Sequence, residues 1–172
     1  MFYYCFESFL AMKREQGSKA TSDLDTKDYE ILTLLQRNAK MTVREVAQEI
    51  SLSTTPTHER IKRLERDGVI KEYTAIVDRK QVNRGIMVLC MIALSVHNKK
   101  AAAQFIEQVK QFKQVLEFYN ISGDFDFMLK IVASSMDEFH DFFVNQLSEV
   151  EGIGQTKSIF VMNSIKETHQ LF

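Results

Sequence analysis

Between residues 24 and 68 the apolar positions recur at helical spacing, whereas from 86 onward they run as strand-like blocks separated by two helical stretches. In the first region Ile31, Leu32 and Leu35 form one stripe, Val43, Val46, Ala47 and Ile50 a second, and Ile61 with Leu64 a third. The starts are marked. Asp25 is placed to cap the first helix, with Asp28 three residues on and Leu24 able to staple onto Tyr29. Thr42 and Glu45 form a capping box, and Met41 can staple to Val46. Leu52-Ser53 is a tight connection, and a third helix starts between Ser53 and Thr55, with Pro56 tolerated in its first turn. Gly68 ends it, and Val69 to Asp78 reads as a strand. Three helices, a short second one and a sharp turn before the third predict a winged-helix-like helix-turn-helix domain over 24–78.

The polar run DRKQVNRG supplies a linker over 79–85. Beyond it, IMVLCMIALSV reads as a strand buried on both faces. Residues 99–112 are helical, with Ala102, Phe105, Ile106 and Val109 inward. VLEFYNI and FDFMLKIVA are strands joined at Ser122-Gly123-Asp124. Residues 136–147 form a helix with Met136, Phe139, Phe143 and Leu147 on one side, and 155–163 form a last strand. The order over 86–172 is βαββαβ, a ferredoxin-like unit, so the whole chain is of the α+β class.

Charge refines this picture. The net charge is −1 over 172 residues, which excludes a globally basic nucleic-acid binder but not a locally basic face. Cys5 and Cys90 stand far apart, which argues against a zinc site or a disulfide framework and fits a reducing cytosol. No apolar run reaches the ~18 residues that a membrane helix needs. Residues 1–23 place apolar positions before basic ones, the reverse of a secretory signal, and are expected to be a disordered extension.

The stretch LSTTPTHERIKRLERDGVI carries the candidate chemistry. Ile61 and Leu64 hold the inner face. Thr54, Thr55, Thr57 and His58 lie near the helix start, where base edges are met, and Arg60, Lys62, Arg63 and Arg66 suit phosphates. The competing reading is a solvated helix, in which Glu59–Arg63 would be an attractive i,i+4 pair. The three-helix context favours double-stranded DNA.

LSTTPTHERIKRLERDGVIKEYTAIVD, followed later by SGDFDFMLK, resembles the Lrp/AsnC family, nearer its leucine-responsive than its asparagine-responsive branch. The resemblance spans residues 24–172 and leaves out the N-terminal extension. It implies a transcription regulator of amino-acid metabolism whose C-terminal domain dimerises, builds octamers and answers a small amino acid such as leucine. It places the effector site at the 120–126 turn, shared between subunits. A zwitterionic effector needs a carboxylate for its ammonium, which Asp126 supplies, and free backbone N–H groups for its carboxylate, which Gly123 permits. Ser122 and Asp124 belong to the same turn. Asn120 and Met136 match positions that the resemblance associates with effector response, and Thr156 and Ser158 are weaker candidates. Without the resemblance, a plain hairpin with Asp126 facing solvent is the simpler reading.

No catalytic residue, metal site or cofactor is expected. Asp124 and Asp126 have no nucleophile or orienting base nearby, and His97, His140 and His169 are scattered. Two alternatives remain: a tetrapyrrole-modifying enzyme like the sirohaem decarboxylases, and a ligand-binding module that has lost DNA contact. The first needs histidines or arginines in the C-terminal cleft; the second conflicts with the intact Thr54–Arg66 stretch.

Overall fold

The structure is a computed structural model that describes residues 23–172. The described chain divides into two compact units. One comprises the residues up to Ile76 together with Ile165–Phe172, and the other is Val77–Ser164.

The first unit holds α1 (Thr26–Arg37), α2 (Val43–Glu49) and α3 (Thr54–Arg66). Both expected capping boxes form. Asp25 accepts from the Asp28 N–H and Asp28 accepts in return from Asp25, while Thr42 and Glu45 do the same for α2. Ser51 takes a left-handed φ of 55°, and the Leu52 N–H reaches back to the Ala47 carbonyl at 2.9 Å, so α2 ends abruptly and α3 can cross it. Gly68, at φ +74°, ends α3. Ile31, Leu32, Leu35, Val46, Ile50, Ile61 and Leu64 form the core, with Leu24 and Met41 against it. Tyr29 is exposed, and its ring meets Phe172.

Val69–Asp78, expected as a strand, has no regular structure among the described residues. Strand-like composition is not enough, because an extended segment needs a hydrogen-bonding neighbour to become a ladder.

The second unit runs β1 (Ile86–Leu94), α4 (Lys99–Val109), β2 (Val115–Asn120), β3 (Phe127–Ala133), α5 (Met136–Phe142) and β4 (Ile153–Phe160). The sheet order is β2-β3-β1-β4, and every pair is antiparallel. Val88, Cys90, Ile92 and Leu94 of β1 and Phe127, Leu129 and Ile131 of β3 face the helices, where Phe105, Val109, Phe139, Phe142 and Leu147 cover them. Burial holds Cys90 as a neutral thiol, pushing its pKa up. The other sheet face carries Leu89, Met91, Met128, Tyr119 and Ile159, partly or fully exposed. β1 is thus fully buried on one face, while on the other Met87 is buried and Leu89, Met91 and Ala93 are half-exposed.

Several boundaries differ from expectation: β1, α4 and β4 end earlier, at Leu94, Val109 and Phe160. The predicted 136–147 helix changes to a π-helical turn at Phe143–Leu147. β4 begins at Ile153 rather than 155. The β2–β3 connection is six residues, Ile121 to Asp126, closed by the Ile121 N–H donating to the Asp126 carbonyl at 2.9 Å.

Candidate nucleic-acid interface and effector turn

On α3 the inner arc is taken by Thr57, Arg60, Ile61, Arg63 and Leu64 (spacings of three and four that share one side of a helix). Thr57 is fully buried, and its hydroxyl donates to the Ser53 carbonyl at 2.9 Å. It faces the domain, not a ligand. Arg60 donates from Nη1 to Asp28 Oδ1 at 2.9 Å and lies 2.7 Å from Asp25 Oδ2. Arg63 bonds Asp28 Oδ2 through Nη2 and therefore turns away from Glu59. The carboxylates of Asp25 and Asp28 push the Arg60 pKa up. The Asp25 carboxyl is lowered, first by the Asp28 N–H and then by Arg60.

The outer arc holds Thr54, Thr55, His58, Lys62 and Arg66, all exposed. Lys62 and Arg66 make only surface pairs, with Glu65 at 2.9 Å and Asp67 at 3.1 Å, and their side chains are 60% and 74% exposed. Such pairs exchange readily for phosphates. The start of α3 also differs from those of α1 and α2. Ser53 makes no side-chain cap bond and the first turn has no acidic residue, so nothing on α3 itself offsets the positive end of its dipole. Arg44, exposed on α2, was not singled out from the sequence; its place on the polar side of the Val43–Val46–Ala47 stripe was the available signal.

At one end of the sheet, the 121–126 loop, the end of β1 and the start of β4 converge. Asp126 Oδ2 accepts the Leu94 N–H at 2.8 Å and lies 3.4 Å from His97 Nε2. The Ser95 N–H reaches Gly152 O at 2.8 Å, and Gly123 has φ +123°. Asn120, Ser122, Gly123 and Asp124 are exposed beside Asp126, which is half-buried. Met136 starts α5, beyond the far end of β3, roughly 20 Å along the strand from the loop. Thr156 pairs with Ile92 and so lies on the helix-covered face. One chain therefore assembles the turn residues but not Met136 or Thr156. His97 was missed, because only the β1–β3 pairing brings it to Asp126.

Among the described residues no group of His, Cys, Asp or Glu side chains could hold a metal ion, and no helix is long and apolar enough to cross a membrane.

A helix-turn-helix with an exposed basic face, followed by a βαββαβ domain, defines a two-domain DNA-binding regulator. Comparison with known proteins makes the class specific. Residues 24–71 match a winged helix-turn-helix DNA-binding model, and residues 87–171 match the Lrp/AsnC ligand binding domain. The chain is 34% identical over 145 residues to the transcriptional regulator AzlB of Bacillus subtilis, covering 84% of this chain and 92% of that one. It is 30% identical over 158 residues to the leucine-responsive regulatory protein of Haemophilus influenzae, covering 92% and 95%. Its fold is similar to a transcriptional regulator of Neisseria meningitidis solved with L-Met, with TM-score 0.82, 30% identity and coverage of 86% and 96%. The chain belongs to the Lrp/AsnC family of DNA-binding transcriptional regulators.

Proposed function

We propose that the protein reads duplex DNA with the outer arc of α3 and adjusts its assembly to an amino acid held at the 121–126 turn. The observation that carries the first part is the division of α3: Ile61 and Leu64 lie in the core, while Thr54, Thr55, His58, Lys62 and Arg66 stand exposed around an uncapped helix start. The hydroxyls and His58 suit base edges, and Lys62 and Arg66 suit phosphates.

The second part rests on the turn and on the open sheet face. Asp126 offers a carboxylate beside the accessible backbone of Ser122 and Gly123, the two poles that a zwitterion needs. Leu89, Met91, Met128 and Ile159 form an apolar face that a second copy would cover, giving a homodimer with two recognition helices. Further assembly to an octamer would place the exposed Met136 of a neighbouring subunit nearer the turn. The effector acts through its differential affinity for these assembly states. The role is binding rather than catalysis, as in the transcriptional regulators that the chain is similar to, and the Asp126 carboxylate is already engaged by the Leu94 N–H. A cytoplasmic location follows from DNA binding.

The testing experiment is thermal unfolding of the protein with each of the twenty amino acids in turn. Binding to the folded form raises the midpoint by mass action. A rise with one or a few, absent in Asp126→Asn, is the expected result. No rise with any of them overturns the effector reading and leaves the DNA reading standing.

A further inference from the structure

Asp28 is fully buried in the helical domain, and it holds two arginines of the helix that would enter the groove. Its Oδ1 takes Arg60, and its Oδ2 takes Arg63 together with the Asp25 N–H that closes the α1 capping box. The Arg63 Nε is buried with no hydrogen-bond partner. An ion pair whose carboxylate is buried and whose guanidinium groups are partly exposed rarely stabilises more than apolar packing would; its attested benefit is a fixed arrangement. That benefit matters here. Only Ile61 and Leu64 give α3 an apolar seam, and a two-residue seam leaves rotation about the helix axis weakly set. Two guanidinium groups one turn apart, anchored on one carboxylate that is itself locked into a helix cap, set it firmly.

We propose that Asp28 is a positioning residue for DNA reading: it fixes the rotation of α3, so that Thr54, Thr55, His58, Lys62 and Arg66 face outward, and it removes Arg60 and Arg63 from the phosphate-contacting set. The inference rests on the recognition-helix reading. It narrows the contact set to the outer arc and gives a buried carboxylate on another helix a part in specificity.

The test uses the full chain, a duplex selected from a random pool by the wild-type protein, and a mixed-sequence duplex. Asp28→Asn keeps the size of the side chain and makes the domain more positive. Positioning requires that its preference for the selected over the mixed duplex fall roughly tenfold, the scale of one lost base-pair contact. If Arg60 and Arg63 were phosphate ligands, the same variant would keep its preference and bind both duplexes more tightly, and the proposal would be overturned. The salt dependence supplies a second measurement should Asp28→Asn fail to fold. Lys62→Gln and Arg66→Gln should each flatten the slope of log affinity against log salt by about 0.9. Arg63→Gln should leave that slope unchanged while selectivity falls, and Arg60→Lys should retain selectivity that Arg60→Gln loses. A flattening of about 0.9 in Arg63→Gln overturns the positioning role. Unchanged slopes in Lys62→Gln and Arg66→Gln as well overturn the recognition-helix reading itself.

Discussion

The Asp126 carboxylate accepts the backbone N–H of Leu94 at 2.8 Å, so the residue that would receive an effector's ammonium also closes the end of β1. The two roles separate by substitution. Asp126→Asn keeps an acceptor for Leu94 and removes the charge. Asp126→Ala removes both and leaves the Leu94 N–H without its partner, at a cost of about 1–2 kcal/mol. The expected outcome is that both variants lose any amino-acid-induced rise in melting midpoint, while only Asp126→Ala melts earlier in the absence of ligand. An Asn variant that still responds fully would show that the charge is not what the effector meets.

Glu138 gives the sheet domain an acid-sensitive joint. Its carboxylate receives the Ser134 hydroxyl and the Ser134 N–H, the latter at 2.8 Å, and pairs with Arg84. The two Ser134 bonds first, and Arg84 after them, hold its pKa down at about 2, against an ordinary 4.5. A depressed folded-state pKa contributes stability that is present above 4.5 and lost as pH falls from there towards about 2. Glu138→Gln should cost about 1–2 kcal/mol at neutral pH, because hydrogen bonds to a charged group are among the stronger ones. The difference between wild type and variant should shrink through that acid window. A difference independent of pH, followed by denaturant unfolding, would rule out the ionised form as the stabilising one.

The elements themselves were legible because helix starts and periods are local. Asp25, Thr42 and Gly68 mark their positions by chemistry that needs no distant partner. What was misread depends on tertiary pairing. Val69–Asp78 has strand composition but no ladder within the described chain, and the Asp126 side chain, read as part of a plain turn, bonds across to Leu94 of β1. Arg60 and Arg63 suit phosphates by residue type and by their place along α3, and the structure pairs both with Asp28. Their place on the arc of Thr57, Ile61 and Leu64 already pointed inward, but the carboxylate that receives them is on another helix. His97 carried no signal at all, since it is far from Asp126 in sequence.

Gly154 is required by packing rather than by backbone conformation. A Cβ there would stand 2.9 Å from both Cα and N of Ser95, backbone atoms that cannot swing aside. β4 must approach the end of β1 this closely for Ser95 to reach Gly152. Gly154→Ala should therefore destabilise the sheet domain by about 1–3 kcal/mol, as overpacking does, and perturb the neighbouring 121–126 loop. At Gly68 the penalty has a different origin: φ is +74° but the space around it is open, so Gly68→Ala should cost about 1 kcal/mol of backbone strain. Denaturant midpoints of the two variants test this ranking, and a neutral Gly154→Ala would mean that β4 can shift.

The end of the chain returns to α1. The Leu171 N–H donates to Gln36 Oε1 at 3.0 Å, Gln36 Nε2 donates to the His169 carbonyl at 3.3 Å, and the Phe172 ring meets Tyr29 edge-on at 5.5 Å. One amide side chain thus reads two backbone groups of the tail, as a neighbouring strand would. Because these bonds are exposed, Gln36→Ala should cost only about 0.5–1 kcal/mol. Deleting residues 169–172 removes the same bonds along with the aromatic contact, so the two changes should not add. A double-mutant cycle should return a coupling of about 0.5 kcal/mol or more, and amide exchange in α1 should quicken equally in the deletion and in the deletion combined with Gln36→Ala. Strict additivity would mean that the tail and Gln36 do not meet in solution.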